Sequence, residues 1–114
     1  MDIEERMSHY LGVRRVKLIE LQDDQKITDL TPTPGVSYLF IYREPSGQTI
    51  IGGGDNLYEI DGIIHAKGLT FKANCFALFE VPGDVNVQQC VNQMGDIIDR
   101  FFGIRGERSA WTPH

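Results

Sequence analysis

The chain has 114 residues, 41% hydrophobic and 24% charged, which suffices for one real core and is too little for two. Its net charge of -5 argues against a general nucleic-acid binder, which needs surplus Lys and Arg to displace phosphate counterions. No apolar run approaches the roughly 18–20 residues of a membrane span, and the N-terminal MDIEERM lacks the apolar centre of a signal peptide, so no membrane contact and a cytoplasmic location are expected.

The first predicted element is a short helix. Ile3, Met7 and either Tyr10 or Leu11 share a face, Asp2 stands at the cap with Glu5 three residues on, and Gly12 closes it. Three turns are too few to stand alone, so this helix must dock on its own sheet or on a second copy of the chain. Val13 to Leu21 reads as a first strand. Gln22 to Gly35, with its acidic residues and the run Thr31-Pro32-Thr33-Pro34-Gly35, reads as a surface connection pinned by Ile27 and Leu30.

Val36 to Arg43 is a second strand, apolar enough to be covered on both faces. Pro45-Ser46-Gly47 turns the chain, Gln48 to Ile51 returns, and Gly52, Gly53 and Gly54 then break the pattern. Leu57–Ile60 and Ile63–Ala66 flank Asp61-Gly62, a dipeptide that favours a two-residue hairpin because both positions tolerate positive φ. Leu69, Phe71, Ala73, Cys75, Ala77, Phe79 and Val81 form one apolar face of the longest strand. Phe76 and Leu78 opposite them imply that its far half is covered on both sides, with a bend near Asn74.

Gly83 to Gly103 reads as an amphipathic helix. Val87, Val91, Met94, Ile98 and Phe101 recur at steps of four and three, widened by Ile97 and Phe102. Asp84 can cap its start, Arg100 suits the negative end of its dipole, and Gly103 can close it. The expected architecture is α+β over residues 1–103: a mostly antiparallel meander of about six strands, a short N-terminal helix, and a long C-terminal amphipathic helix packed on one face. That helix should lie against Phe71, Cys75 and Phe79, each buried apolar side chain contributing roughly 1.5–3 kcal/mol before entropy is subtracted. Residues 104–114 form a tail that packs on its own domain or on a partner subunit. Cys75 and Cys90 are read as buried thiols, with a bridge between strand and helix the alternative.

Motifs for chemistry are sparse. The glycines Gly52, Gly53 and Gly54, followed by Asp55 and Asn56, offer bare N–H groups to an anion, but phosphate loops need a helix start that the next residues do not announce. A wide turn is therefore the plainer expectation, although three successive glycines imply some close approach. His9, His65 and His114 lack zinc spacing, and no metal or cofactor is expected. His65 near Asp61 is the sole candidate acid–base pair, and an exposed strand histidine is the commoner reading. In the tail, Arg105, Arg108 and Trp111 are residue types typical of binding hot spots, and Arg100 with Arg105 and Arg108 can hold an acidic or phosphate-bearing ligand.

The first functional expectation is a non-catalytic protein acting by contact with a partner protein, as inhibitor, immunity-type protein or adaptor. Its partner surface would include Arg105, Arg108 and Trp111. The alternative is a protein that sequesters an anionic metabolite or nucleotide with Gly52–Asn56, Arg100, Arg105 and Arg108. A small enzyme ranks last. A homodimer is expected as well, since the short helix, the Trp tail and any open sheet edge need cover.

Overall fold

A computed structural model of the chain describes residues 3–22, 25–43, 49–69, 76–102 and 106–108, with 97–102 and 106–108 described by their backbone alone. Helix α1 spans Ile3–Leu11 and ends at Gly12, whose φ of +66° lets the Gly12 and Val13 N–H groups donate to the carbonyls of His9 and Ser8. Met7 and Leu11, one turn apart, enter a core cluster with Val91 and Met94, so α1 docks on its own chain. Ile3 and Tyr10, on the adjoining flank of the helix, stay 50% and 44% exposed, so the buried face is narrower than expected and of the two alternatives Leu11 joins Met7 on it. The Asp2 cap lies outside the described residues.

Strand β1 is Lys17–Ile19, far shorter than Val13 to Leu21, because the chain bends at Arg14 while Val13 and Val16 pack toward α1. A 3-10 turn at Ile27–Asp29 then buries Ile27, and Leu30 packs beside it, pinning the connection as their apolar character implied. Strand β2 is Val36–Arg43 and β3 is Thr49–Gly54, so the three glycines continue a strand instead of forming a turn. They pair with Phe40, Leu39 and Tyr38 across the β2–β3 ladder.

The expected Asp61-Gly62 hairpin is a helix, α2, over Leu57–Ala66. Leu57, Ile60 and Ile64 are spaced for one helical face and are buried with Ile63, while Gly62 lies on the exposed side where it costs little. Asn56 caps the helix by accepting the Glu59 N–H at 3.0 Å. Strand β4 is Phe76–Pro82; residues 70–75, which hold Phe71, Cys75 and the expected bend, fall outside the described residues.

Helix α3 spans Val87–Phe102 and begins later than expected, capped by Asn86 accepting the Gln89 N–H at 3.0 Å. Asp84 instead pairs with Arg14. Of the expected stripe, the described side chains, which run about ten residues into α3 to Asp96, place Val87, Val91 and Met94 in the core together with Cys90. The side chains of Ile97, Ile98, Arg100, Phe101 and Phe102, and all of Gly103, lie outside the described residues. Residues Gly106–Arg108 form a short strand β5.

The result is α+β, but it is not a six-strand meander. Among the described residues, four antiparallel strands in the order β1-β4-β2-β3 are extended at one edge by β5, which runs parallel to β3. Since β3 and β4 both run antiparallel to β2, they are parallel to each other, and α2 is the crossover between them. Helix α3 is the return crossover from β4 to β5. Two crossovers of one hand running in opposite directions place their helices on opposite faces, and the cores agree. Phe79, Val81, Leu39 and Ile51 meet α1 and α3 on one face. Phe40, Tyr42, Ile50, Phe76 and Leu78 meet α2 and the 3-10 turn on the other. There Phe40 and Phe76 stack with centroids 5.1 Å apart.

Candidate functional site

A half-open cleft of about 440 Å³ lies where β1, the 30–33 connection and the start of α2 converge. The ladders create it. Gly54, Tyr38, Glu80 and Lys17 are register partners in one row across β3, β2, β4 and β1, so the last three present side chains on the α2 face of the sheet. The row lies near the carboxyl ends of the parallel strands β3 and β4, the end at which open α/β sheets form their crevices. Ile19, Leu30 and Leu57 supply apolar walls, the chain at Leu18 passes beneath with its side chain on the opposite face, and Glu20, Thr31 and Thr33 complete the rim.

Glu80 is the chemical centre of this cleft. It sits in the apolar strand Phe76–Pro82 and is only 9% exposed, an expensive place for a carboxylate without partners. Its Oε2 accepts the Thr33 hydroxyl at 2.8 Å, and the Tyr38 hydroxyl accepts the Thr33 N–H at 3.2 Å. Thr33 thus ties the connection over the sheet through both side chains. Among the described residues, no cationic side chain forms an ion pair with Glu80. Lys17, opposite it in the ladder, is exposed.

A second cavity, of about 340 Å³, lies between the 3-10 turn and the end of α2, with Lys26, Thr28, Asp61 and His65 at its mouth. The helix brings His65 and Asp61 together at one-turn spacing: Nδ1 lies 2.9 Å from the Asp61 carbonyl oxygen and 3.3 Å from its carboxylate. The imidazole is 76% exposed, so water surrounds it and competes for both contacts. His9 is also exposed, against the edge of Tyr10.

Of the residues expected to hold a ligand, Gly52 to Asn56 run from the end of β3 to the start of α2, and Arg108 is the one arginine of the set whose backbone is placed beside them. Gly52, Gly53 and Gly54 are buried within the sheet. A Cβ on Gly53 would stand 2.6 Å from Val87 Cγ1, so the close approach that the glycines imply is made by α3. Asp55 follows β3, accepts the Ser37 hydroxyl at 3.4 Å, and donates its N–H to the Glu59 carboxylate. Asn56 is occupied as the cap of α2. Arg108 belongs to β5, where its Cα partner is Ile51. The Arg100 side chain, Arg105 and Trp111 lie outside the described residues, as does His114.

Cys90 is a buried free thiol, and burial pushes its pKa up, which keeps it protonated and unreactive. Its candidate bridge partner Cys75 is outside the described residues. Among those residues no group of three or more His, Cys, Asp or Glu side chains is placed to hold a metal ion, and no helix is long and apolar enough to cross a membrane. Compared with protein-family models, with curated proteins and with solved structures, the chain matches none.

Sequence reasoning passed over Lys17, Thr33, Tyr38 and Glu80. One signal was present. Glu80 is the lone charge in the segment FALFEVP, and a carboxylate in a strand bound for burial demands a partner.

Proposed function

We propose that this protein is a small non-catalytic binding protein that acts by contact with a partner protein, as an inhibitor, an immunity-type protein or an adaptor. The observation that carries this reading is the half-open cleft beside β1, with apolar walls and a buried carboxylate. A small ligand is held best where the site covers most of its surface. A cleft open along one side leaves such a ligand wet, whereas a docking chain brings its own cover. The exposed flank of α1 supports the same reading, since Ile3 and Tyr10 leave apolar surface exposed two turns apart.

A photo-crosslinking amino acid in place of Lys17, at the rim of the cleft, tests the proposal in the host cell. One discrete adduct with a second polypeptide is expected, absent when the same group replaces the exposed Gln89 on α3. A small molecule co-purifying in native mass spectrometry, with the rim position silent, would overturn it.

Sequestration of an anion by Gly52–Asn56 with Arg100, Arg105 and Arg108 is the second reading. In its favour, β3 leads through Asp55 and Asn56 directly into the N-terminus of α2, the strand-to-helix order of anion sites. Against it, the carboxylates of Asp55 and Glu59 crowd that terminus with negative charge. The homodimer proposal rests on the exposed Ile3 and Tyr10 flank, since the buried face of α1 is already covered by its own chain. Light scattering that reports a monomer over a wide concentration range would remove it.

A further inference from the structure

The proposal that follows rests on the contact reading and names what the partner inserts. Four observations meet at the cleft. Glu80 is nine-tenths buried and lines the cavity. Its one hydrogen bond among the described residues comes from a neutral hydroxyl, that of Thr33, through Oε2. The Tyr38 hydroxyl, itself buried, accepts from the Thr33 N–H and has its own proton to donate or a lone pair to offer. Leu30, Leu57 and Ile19 form an apolar wall leading from the mouth to this polar end. A cleft with an apolar shaft and an anionic end complements an aliphatic stem with a cationic head.

We propose that the cleft receives an arginine or lysine side chain of the partner polypeptide, its stem along Leu30 and Leu57 and its charged head on Glu80. Buried carboxylates are stabilised when a cation with directed hydrogen bonds joins them, and a guanidinium or ammonium supplies both charge and donors. A free amine meets the same carboxylate, but it leaves the open side of the cleft in water. A polypeptide covers that side, which is why the inference commits to a side chain. Lys17 stands opposite Glu80 in the β1–β4 ladder and lines the same cleft without pairing to it. It acts as a weak internal competitor that raises the threshold for an entering cation.

Titration of the isotope-labelled protein by NMR tests this with defined probes: a capped tripeptide with arginine at its centre, the same peptide with neutral citrulline, and free putrescine. The arginine peptide should shift the amides of Leu18, Thr33, Tyr38 and Leu57 together. Glu80→Gln, which preserves shape and the Thr33 bond, should weaken that binding by about tenfold or more, as loss of one charge of a partly buried pair does. Lys17→Gln should tighten it by roughly two- to threefold, as removal of a like charge nearby does. Tyr38→Phe is the second variant, removing the hydroxyl while leaving the ring packed, and should also weaken binding. Equal shifts with the citrulline peptide, unchanged binding in Glu80→Gln, or putrescine binding as tightly as the peptide would each overturn the inference. Those results would leave the contact reading standing if the Lys17-position adduct still forms. Loss of the adduct would remove the contact reading itself.

Discussion

Gly53 has room for a hydrogen atom and nothing larger. A Cβ there would stand 2.6 Å from Val87 Cγ1, 2.9 Å from Leu39 Cδ2 and 2.9 Å from the Tyr38 carbonyl oxygen. Gly53→Ala should therefore cost about 1–3 kcal/mol in urea unfolding, the usual range for overpacking. Adding Val87→Ala should return part of the loss, because it clears the helix contact and leaves the backbone contact in place. A Gly53→Ala protein as stable as the parent would show that α3 does not press on β3 as described. The residue-level lesson is mixed. The glycine run announced a close approach, but nothing in the sequence said that a helix makes it. Glu80 was visible as a lone charge in an apolar strand, whereas its partner Thr33 lies forty-seven positions away, a separation that no local pattern can report.

Helices α2 and α3 start with the same device, an asparagine whose side-chain oxygen accepts the N–H three residues on. Asn56→Ala and Asn86→Ala should each lower stability by about 1 kcal/mol. They belong to helices on opposite faces of the sheet, so the double variant should lose the sum. A double variant that departs clearly from additivity would mean that the two helices are coupled through the sheet. Helix α2 also shows why its segment was misread. Asp61-Gly62 is a strong hairpin signal, but it carries information only about two residues. Leu57, Ile60, Ile63 and Ile64 carry the larger burial, and their spacing wins. Ile60, the fully buried residue on the inner face of α2, should cost about 2–5 kcal/mol on replacement by Ala. Strand β2, by contrast, was readable to the residue, because continuous apolar character and flanking turn residues agree there.

The strand order was not readable, since β1 skips its sequence neighbour and pairs with β4. Pairing partners that far apart are chosen by the whole hydrophobic pattern and by crossover handedness, not by any local segment. The same long-range closure joins Arg14 to Asp84 through hydrogen bonds of 2.9 and 3.2 Å. The guanidinium, chiefly through those bonds, holds the Asp84 carboxyl below its ordinary 3.8. A carboxyl held lower in the folded chain stabilises it above that value, and the support is lost as acid carries the pH down through the lowered one. Both side chains are well exposed, so the support is small and screened by salt. Asp84→Asn should lower the Tm slightly at neutral pH in dilute buffer, with the difference gone in molar salt and in strong acid. A difference that persists in acid would assign Asp84 a role other than this pair. One further contact governs what the outer edge of the sheet can still do. The Glu4 carboxylate accepts the Leu18 N–H at 2.8 Å, occupying the edge of β1. With that donor taken by a helix of the same chain, β1 has one ladder group fewer to offer a strand of another molecule, so the folded protein guards this edge against edge-to-edge association.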